Sequence, residues 1–176
     1  MTTKLFLVVG ALQALILSEA RASERSRCLE LPVETRPVWV SQLFHDPRPV
    51  IVPDPARVSW PIGLAHDGLD IKLPGGTALY ALAGGVVIAA GLDQDGSGGV
   101  TVQTASGRRY LLGHLYAVSV KRGDRVHRGQ ILGYSGGEPG VYGSGPYTTG
   151  PHLHLTVLDP FGEAVDPLPL FCRDKH

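Results

Sequence analysis

Charge of either sign is in short supply in this chain. Lys plus Arg total 16 and Asp plus Glu total 16 of 176 residues, for a formal net charge of zero and an isoelectric point near 7.1. Neutralising a phosphate backbone needs a dense basic face, so this balance argues against nucleic acid as a partner. Lysine is scarce, at positions 4, 72, 121 and 175, and the arginines are scattered apart from Arg21, Arg25 and Arg27. Cysteine occurs only twice, as Cys28 and Cys172, too few to build a structural zinc site alone. Long apolar runs are missing too: Leu5–Leu17 is short of the roughly 20 residues that span a bilayer. No segment shows a helical period, and no exact internal repeat occurs. What is plentiful is glycine (23) and proline (14), spread along the chain instead of gathered in one low-complexity block. That texture suits an all-β domain with many tight turns, and the length suits one domain with a real core.

The N-terminus reads as an export signal over residues 1–22. Lys4 is the positive start, Leu5–Leu17 the apolar stretch, and Ala20-Arg21-Ala22 the small-x-small cleavage pattern. Glu19 and Arg21 make that cleavage region untidy, and retention as an N-terminal anchor is the alternative, the one route to a membrane. "RSR" before Cys28 does not resemble a lipoprotein signal. Export makes the expected location periplasmic or secreted. It also puts Cys28 and Cys172 where disulfides form; a bridge between the two chain ends and a pair of free buried thiols are both open.

Residues 23–62 are punctuated by Pro32, Pro37, Pro47, Pro49, Pro53, Pro55 and Pro61. Such density breaks helices and central strands, so this region reads as an extended leader wrapping onto the domain. Trp39, Phe44 and Trp60 are its expected anchors. Residues 63–170 form the expected domain and 171–176 a tail. Within the domain, short β-type runs alternate with glycine turns: "HDGLDIKL", "TALYALAGGVVIAAGL" broken at Gly84-Gly85, "VTVQTA", "RYLLGHL", "AVSV", "RVHRGQILGYS" and "PHLHLTVLD". The spacing predicts an antiparallel β sandwich or barrel.

Several histidines interrupt these runs. In "TTGPHLHLTV" a strand would turn His152 and His154 to one face and Leu153 and Leu155 to the other. Alone, that spacing serves a polar stripe on a half-buried strand as well as a site. "HDGLD" sets His66 and Asp70 four apart around Gly68, and "LLGHL" holds His114. Imidazole and carboxylate are both good zinc ligands; three protein ligands with a fourth position open make a catalytic rather than structural site. His127, in a turn-rich segment, reads as solvated, "DQDGSGG" at Asp93 as a turn, and Asp67 as pointing away from His66.

In combination these segments resemble the lysostaphin-type zinc metallopeptidases. "HDGLDIKLPGGTALYALAGGVV" follows that family's H-x-G-x-D run, "GRRYLLGHLYAVSVKRGDRVHRGQILGYSG" its Tyr-x-x-x-His-Leu segment, and "TTGPHLHLTV" its T-G-P-H-L-H-F-E-V. The likeness covers about Leu64 to Pro167. It implies an antiparallel β-sheet sandwich of the duplicated hybrid motif (barrel-sandwich hybrid) type, and a monomer binding one Zn2+ through His66, Asp70 and His154. It further implies that His114 and His152 are the unligated catalytic pair, and that the substrate is peptidoglycan peptide, cut at cross-links or stem peptides by endopeptidase chemistry. Two departures stand out: Leu155 replaces a usual Phe, and Thr156 an acid. The loop Gly133–Gly150 is longer than in compact members; it either borders the substrate groove through Tyr142 and Tyr147 or is a solvated insertion. An inactive relative serving as a peptidoglycan-binding or amidase-activating module typically lacks one or more ligand residues, and here all five positions are filled. "VKRGDRVHRGQILG" also resembles the turn of lipoyl and biotinyl carriers, but no lysine stands in the context those carriers need.

Overall fold

Alternation of apolar and polar residues sets the strands, and the strands set the site. The computed structural model describes residues 28–34, 38–46, 66–146 and 148–172, so residues 1–22, which the sequence suggested as an export signal, and Trp60 and Tyr147 lie outside the described residues. Eleven strands run in the order β1 Trp39–Gln42, β2 Leu69–Lys72, β3 Ala78–Tyr80, β4 Gly85–Leu92, β5 Gly98–Gln103, β6 Arg109–Gly113, β7 Leu115–Val118, β8 Arg125–Val126, β9 Ile131–Ser135, β10 His152–Leu158 and β11 Ala164–Val165. A 3₁₀ turn at Leu168–Leu170 is the only helical element among the described residues.

All pairings between these strands are antiparallel. The larger sheet has the order β1-β2-β10-β6-β5-β4-β8, with β11 paired to β10; the smaller is β3-β9-β7. Inward residues of both sheets meet in one core. Leu69 and Ile71 of β2, Leu153, Leu155 and Val157 of β10, Tyr110 and Leu112 of β6, and Val100 and Val102 of β5 face Leu79, Leu115 and Leu132 of the smaller sheet. The alternation in "LDIK" and "HLHL" therefore has a direct structural meaning. Its leucines and isoleucine are buried, and Asp70, Lys72, His152 and His154 share the opposite face.

The run "RYLLGHL" is two strands where the sequence suggested one. His114 breaks it with φ +61, and the chain passes there from β6 in the large sheet to β7 in the small one. A non-glycine residue in this left-handed region is uncommon and persists only where its surroundings over-determine it. Those surroundings are clear: His114 is buried, its carbonyl accepts the Gly136 N–H at 2.7 Å, and its ring is held by Ser144. The switch between sheets thus delivers an imidazole to the end of β6, beside β10.

The leader is anchored differently from expectation. Trp39 is 71% exposed and Phe44 only half-buried, whereas Leu29 and Val33 are buried in the core. Trp39 sits on β1, which has one strand neighbour among the described residues, and no second sheet among them covers its ring. The anchor at the start of the leader is instead covalent. Cys28 and Cys172 are bridged, with Cα atoms 5.0 Å apart, and Leu29 pairs with Phe171 beside the bond. Arg128 adds hydrogen bonds to Glu30 and to the Cys28 carbonyl.

Closing so long a loop removes much chain entropy from the unfolded state. Replacing both Cys28 and Cys172 with Ser is expected to cost about 2–5 kcal/mol of stability. Thermal unfolding of the oxidised and doubly substituted proteins checks this; equal midpoints would show that the bridge contributes nothing.

Candidate metal centre

Antiparallel register places the site. β2 and β10 pair so that His154 lies opposite Asp70 and His152 opposite Lys72, all on the face turned away from the core. His66 enters three residues before β2, and Gly68 lets it curl over the sheet. A Cβ on Gly68 would lie 2.6 Å from the Leu155 carbonyl oxygen and 2.7 Å from His154 Cε1. No larger residue fits between the two motifs, which is the physical reason for glycine in "HDGLD".

Three donor atoms converge. His66 Nε2 is 3.2 Å from Asp70 Oδ1 and 3.2 Å from His154 Nδ1, and His154 Nδ1 is 2.8 Å from Asp70 Oδ1. Zinc–ligand bonds of about 2.0–2.2 Å at tetrahedral angles put ligand atoms about 3.3–3.6 Å apart, so the triangle is close to the face of a coordination tetrahedron. His66, Asp70 and His154 are also the only group of three or more His, Cys, Asp or Glu side chains among the described residues whose geometry could hold an ion. Two nitrogens and one carboxylate oxygen suit zinc, and the residues fit that ion.

The outward nitrogens are all committed elsewhere. His66 Nδ1–H donates to the Leu43 carbonyl in the leader at 2.8 Å, which leaves its Nε2 lone pair facing the triangle. His114 Nδ1–H donates to the Ser144 carbonyl at 2.7 Å, and His152 Nδ1–H to the Gly150 carbonyl at 2.8 Å. Both rings therefore present a bare Nε2, and their centroids are 4.6 Å apart. His152 Nε2 stands 3.8 Å from Asp70 Oδ2. The long glycine-rich loop supplies both carbonyl acceptors, so it is part of the site's support. Its Tyr142 is exposed, as is His127 outside it.

Asp67 corrects the sequence reading. Instead of pointing away, it sets Oδ1 3.3 Å from His154 Nε2, and Thr156 Oγ1 lies 2.9 Å from the same nitrogen. A carboxylate on the far nitrogen of a ligand imidazole fixes its tautomer and raises its basicity. The only sequence signal was Thr156 in place of an acid, which leaves that nitrogen in need of a charged partner. Aligning Asp67 with it requires the backbone curl at Gly68.

Electrostatics follow from this packing. Burial opposes the charge on Asp70, but its close contacts with the His154 and His66 imidazoles override it and hold the carboxyl well below the usual range. Burial likewise opposes a proton on His154, yet Asp67 and Asp70 outweigh it and raise its pKa to about 9. For His114, burial dominates and the neighbouring His152 and His154 reinforce it, lowering its pKa to about 3. His114 is therefore neutral throughout the physiological range.

Truncating Asp67 to Ala is expected to weaken divalent-metal affinity by about 10–100-fold. Chelator competition measures it, and an unchanged affinity would show that Thr156 alone suffices. In the metal-free protein, the proton on His154 stabilises the fold fully below its ordinary pKa of 6.5, a contribution lost as pH rises through about 9. A metal ion needs that nitrogen bare, so loading at pH 7 is expected to release about one proton. Calorimetry in buffers of different ionisation enthalpy reads the release directly, and none would mean that the imidazole is already neutral.

Known proteins resemble this chain in sequence and fold. Over 119 residues the chain is 34% identical to the glycyl-glycine endopeptidase ALE-1 of Staphylococcus capitis, covering 62% of this chain and 31% of that protein. Over 129 residues it is 33% identical to the peptidoglycan DD-endopeptidase ShyA of Vibrio cholerae, covering 72% of this chain and 26% of that one. The chain thus spans about a quarter to a third of the length of these relatives. The catalytic domain of lysostaphin from Staphylococcus simulans superposes with a TM-score of 0.59 at 28% identity, over 75% of this chain and 90% of that domain. The model of peptidase family M23 matches residues 64–167, which hold the His66–Asp70–His154 triangle and both flanking histidines, and the chain belongs to that family.

Proposed function

We propose that the protein is an exported zinc-dependent endopeptidase that hydrolyses peptide bonds of peptidoglycan cross-links or stem peptides. The observation that carries this reading is the convergence of His66 Nε2, Asp70 Oδ1 and His154 Nδ1, with two further imidazoles beside them whose Nε2 atoms are bare. The relatives named for peptidoglycan endopeptidase activity support the substrate class, and the Cys28–Cys172 bridge supports an oxidising compartment outside the cytoplasm.

Zinc held by His66, Asp70 and His154 supplies a Lewis acid that polarises a carbonyl and acidifies a water. The chain's own residues do the rest. His66 and His154 are oriented by Leu43, Asp67 and Thr156, so no rearrangement of the ligand rings is needed at the moment of reaction. His152 takes the proton of the attacking water at Nε2 as the new C–O bond forms. It returns that proton to the departing amine nitrogen as the C–N bond breaks. Its position next to Asp70 suits it to this work. His114, buried and neutral, offers Nε2 as a fixed hydrogen-bond acceptor and holds the reacting groups in line. His152 and His114 are both tied to one loop through backbone carbonyls, so their spacing is set by the chain and not by side-chain rotamers alone.

The roles separate experimentally. His152→Ala is expected to abolish hydrolysis of purified peptidoglycan while keeping one zinc per chain, whereas His154→Ala loses both. Metal analysis of the two purified variants, beside muropeptide mass spectrometry with and without chelator, provides the test. A metal-free His152→Ala protein would overturn the division of labour, and chelator-insensitive digestion would overturn the metal's part.

A further inference from the structure

The register that aligns the ligands also aligns two residues that the reaction does not use. Trp39 of β1 lies opposite Lys72 of β2, and Lys72 lies opposite His152 of β10. Directly opposed residues of paired strands put their side chains on the same face. Trp39, Lys72 and His152 thus form a row across the sheet, next to the row Gln42, Asp70 and His154. Strand spacing puts the Lys72 backbone about 5 Å from His152 and Trp39 about 10 Å away.

At the outer end of this row is an open depression of ≈ 440 Å³, lined by Trp39, Val40, Ser41 and Lys72. Ser41 hydrogen-bonds the Asp70 carbonyl, while the other three side chains are exposed. Trp39 is 71% exposed, Val40 38%, and Lys72 is exposed with no ion-pair partner among the described residues. A large aromatic left out of the core on an edge strand is costly unless something covers it. A lysine head is a compact hydrated charge on a flexible stem, suited to meeting an anion.

We propose that Lys72 and Trp39 form a subsite beside the scissile bond that receives a carboxylate-bearing peptide, so that the favoured substrate is an acidic stem-peptide strand and not a neutral glycine bridge. The inference rests on the endopeptidase reading of the same site. The ammonium of Lys72 meets a free carboxylate on the strand, and the indole of Trp39 covers the aliphatic carbons next to that group. Glycine bridges have neither the charge nor the side chain to use the pair. Lys72 shares its face with Asp70, two residues away on β2, and it sits outside the donor triangle. Its removal therefore acts on substrate and leaves the ion in place.

The test uses the zinc-loaded full chain and three synthetic probes: a stem peptide with free carboxylates, the same peptide with those carboxylates amidated, and pentaglycine blocked at both ends. Wild type is expected to favour the free-carboxylate peptide by about tenfold or more in kcat/KM, the scale of a charge-assisted hydrogen bond. Lys72→Gln is expected to erase the preference through KM, Lys72→Glu to reverse it, and Trp39→Ala to raise KM for both stem peptides. Zinc content stays at the wild-type level in all three. Equal rates on free and amidated peptides, or pentaglycine cut as fast as either, would overturn the subsite. Loss of zinc from Lys72→Gln would overturn it also, because the lysine would then be acting through the metal. If wild type cleaves none of the probes, the endopeptidase reading fails separately. Binding of the two stem peptides, followed by calorimetry on wild type and Lys72→Gln, still decides the subsite, with equal affinities counting against it.

Discussion

Everything at this site depends on the antiparallel register between β2 and β10. It sets Asp70 opposite His154 and turns both outward while Leu69, Ile71, Leu153 and Leu155 are buried beneath them. A slip of one residue would send the carboxylate and both imidazoles into the core and the leucines into water. The apolar side chains under the two strands therefore specify the ligand geometry. The same burial that stabilises the sandwich rules out other registers.

A second layer of control lies in the nitrogens that face away from the reaction. Backbone carbonyls of Leu43, Ser144 and Gly150 hold Nδ1 of His66, His114 and His152, while Asp67 and Thr156 hold Nε2 of His154. Each contact chooses a tautomer and fixes a ring plane. Four different segments supply them: the leader, the long glycine-rich loop, the turn around Gly68, and β10 itself. The leader earns its place in the architecture through this contact and through β1, in addition to the disulfide at its start. Trp39 and Lys72 extend the same logic from chemistry to recognition, since the pairing that builds the site also lays a row of side chains alongside it.

The family pattern, the β texture and all five members of the His–Asp constellation were legible in the sequence. They depend on local spacing: two residues for a shared strand face, and a glycine where a chain must pass close to a ring. Asp67 was misread because its direction depends on the curl at Gly68, which a linear pattern does not contain. Trp39 was misread as an anchor because aromatic residues usually bury, and nothing local marks β1 as a sheet edge. "RYLLGHL" was read as one strand because the left-handed turn at His114 is imposed by Gly136 and Ser144, distant in sequence.

The sequence by itself determined which side chains share one outward face, because residues two apart on a strand point the same way and the leucines and isoleucine between them are drawn into the core. Tertiary structure alone decided which nitrogen of each ring faces the site, how far His114 is kept from protonation, and that Cys28 meets Cys172. The reason is the same in each case. Tautomer, burial and bridging are set by atoms brought near from distant parts of the chain, and only the packed sheets bring them together.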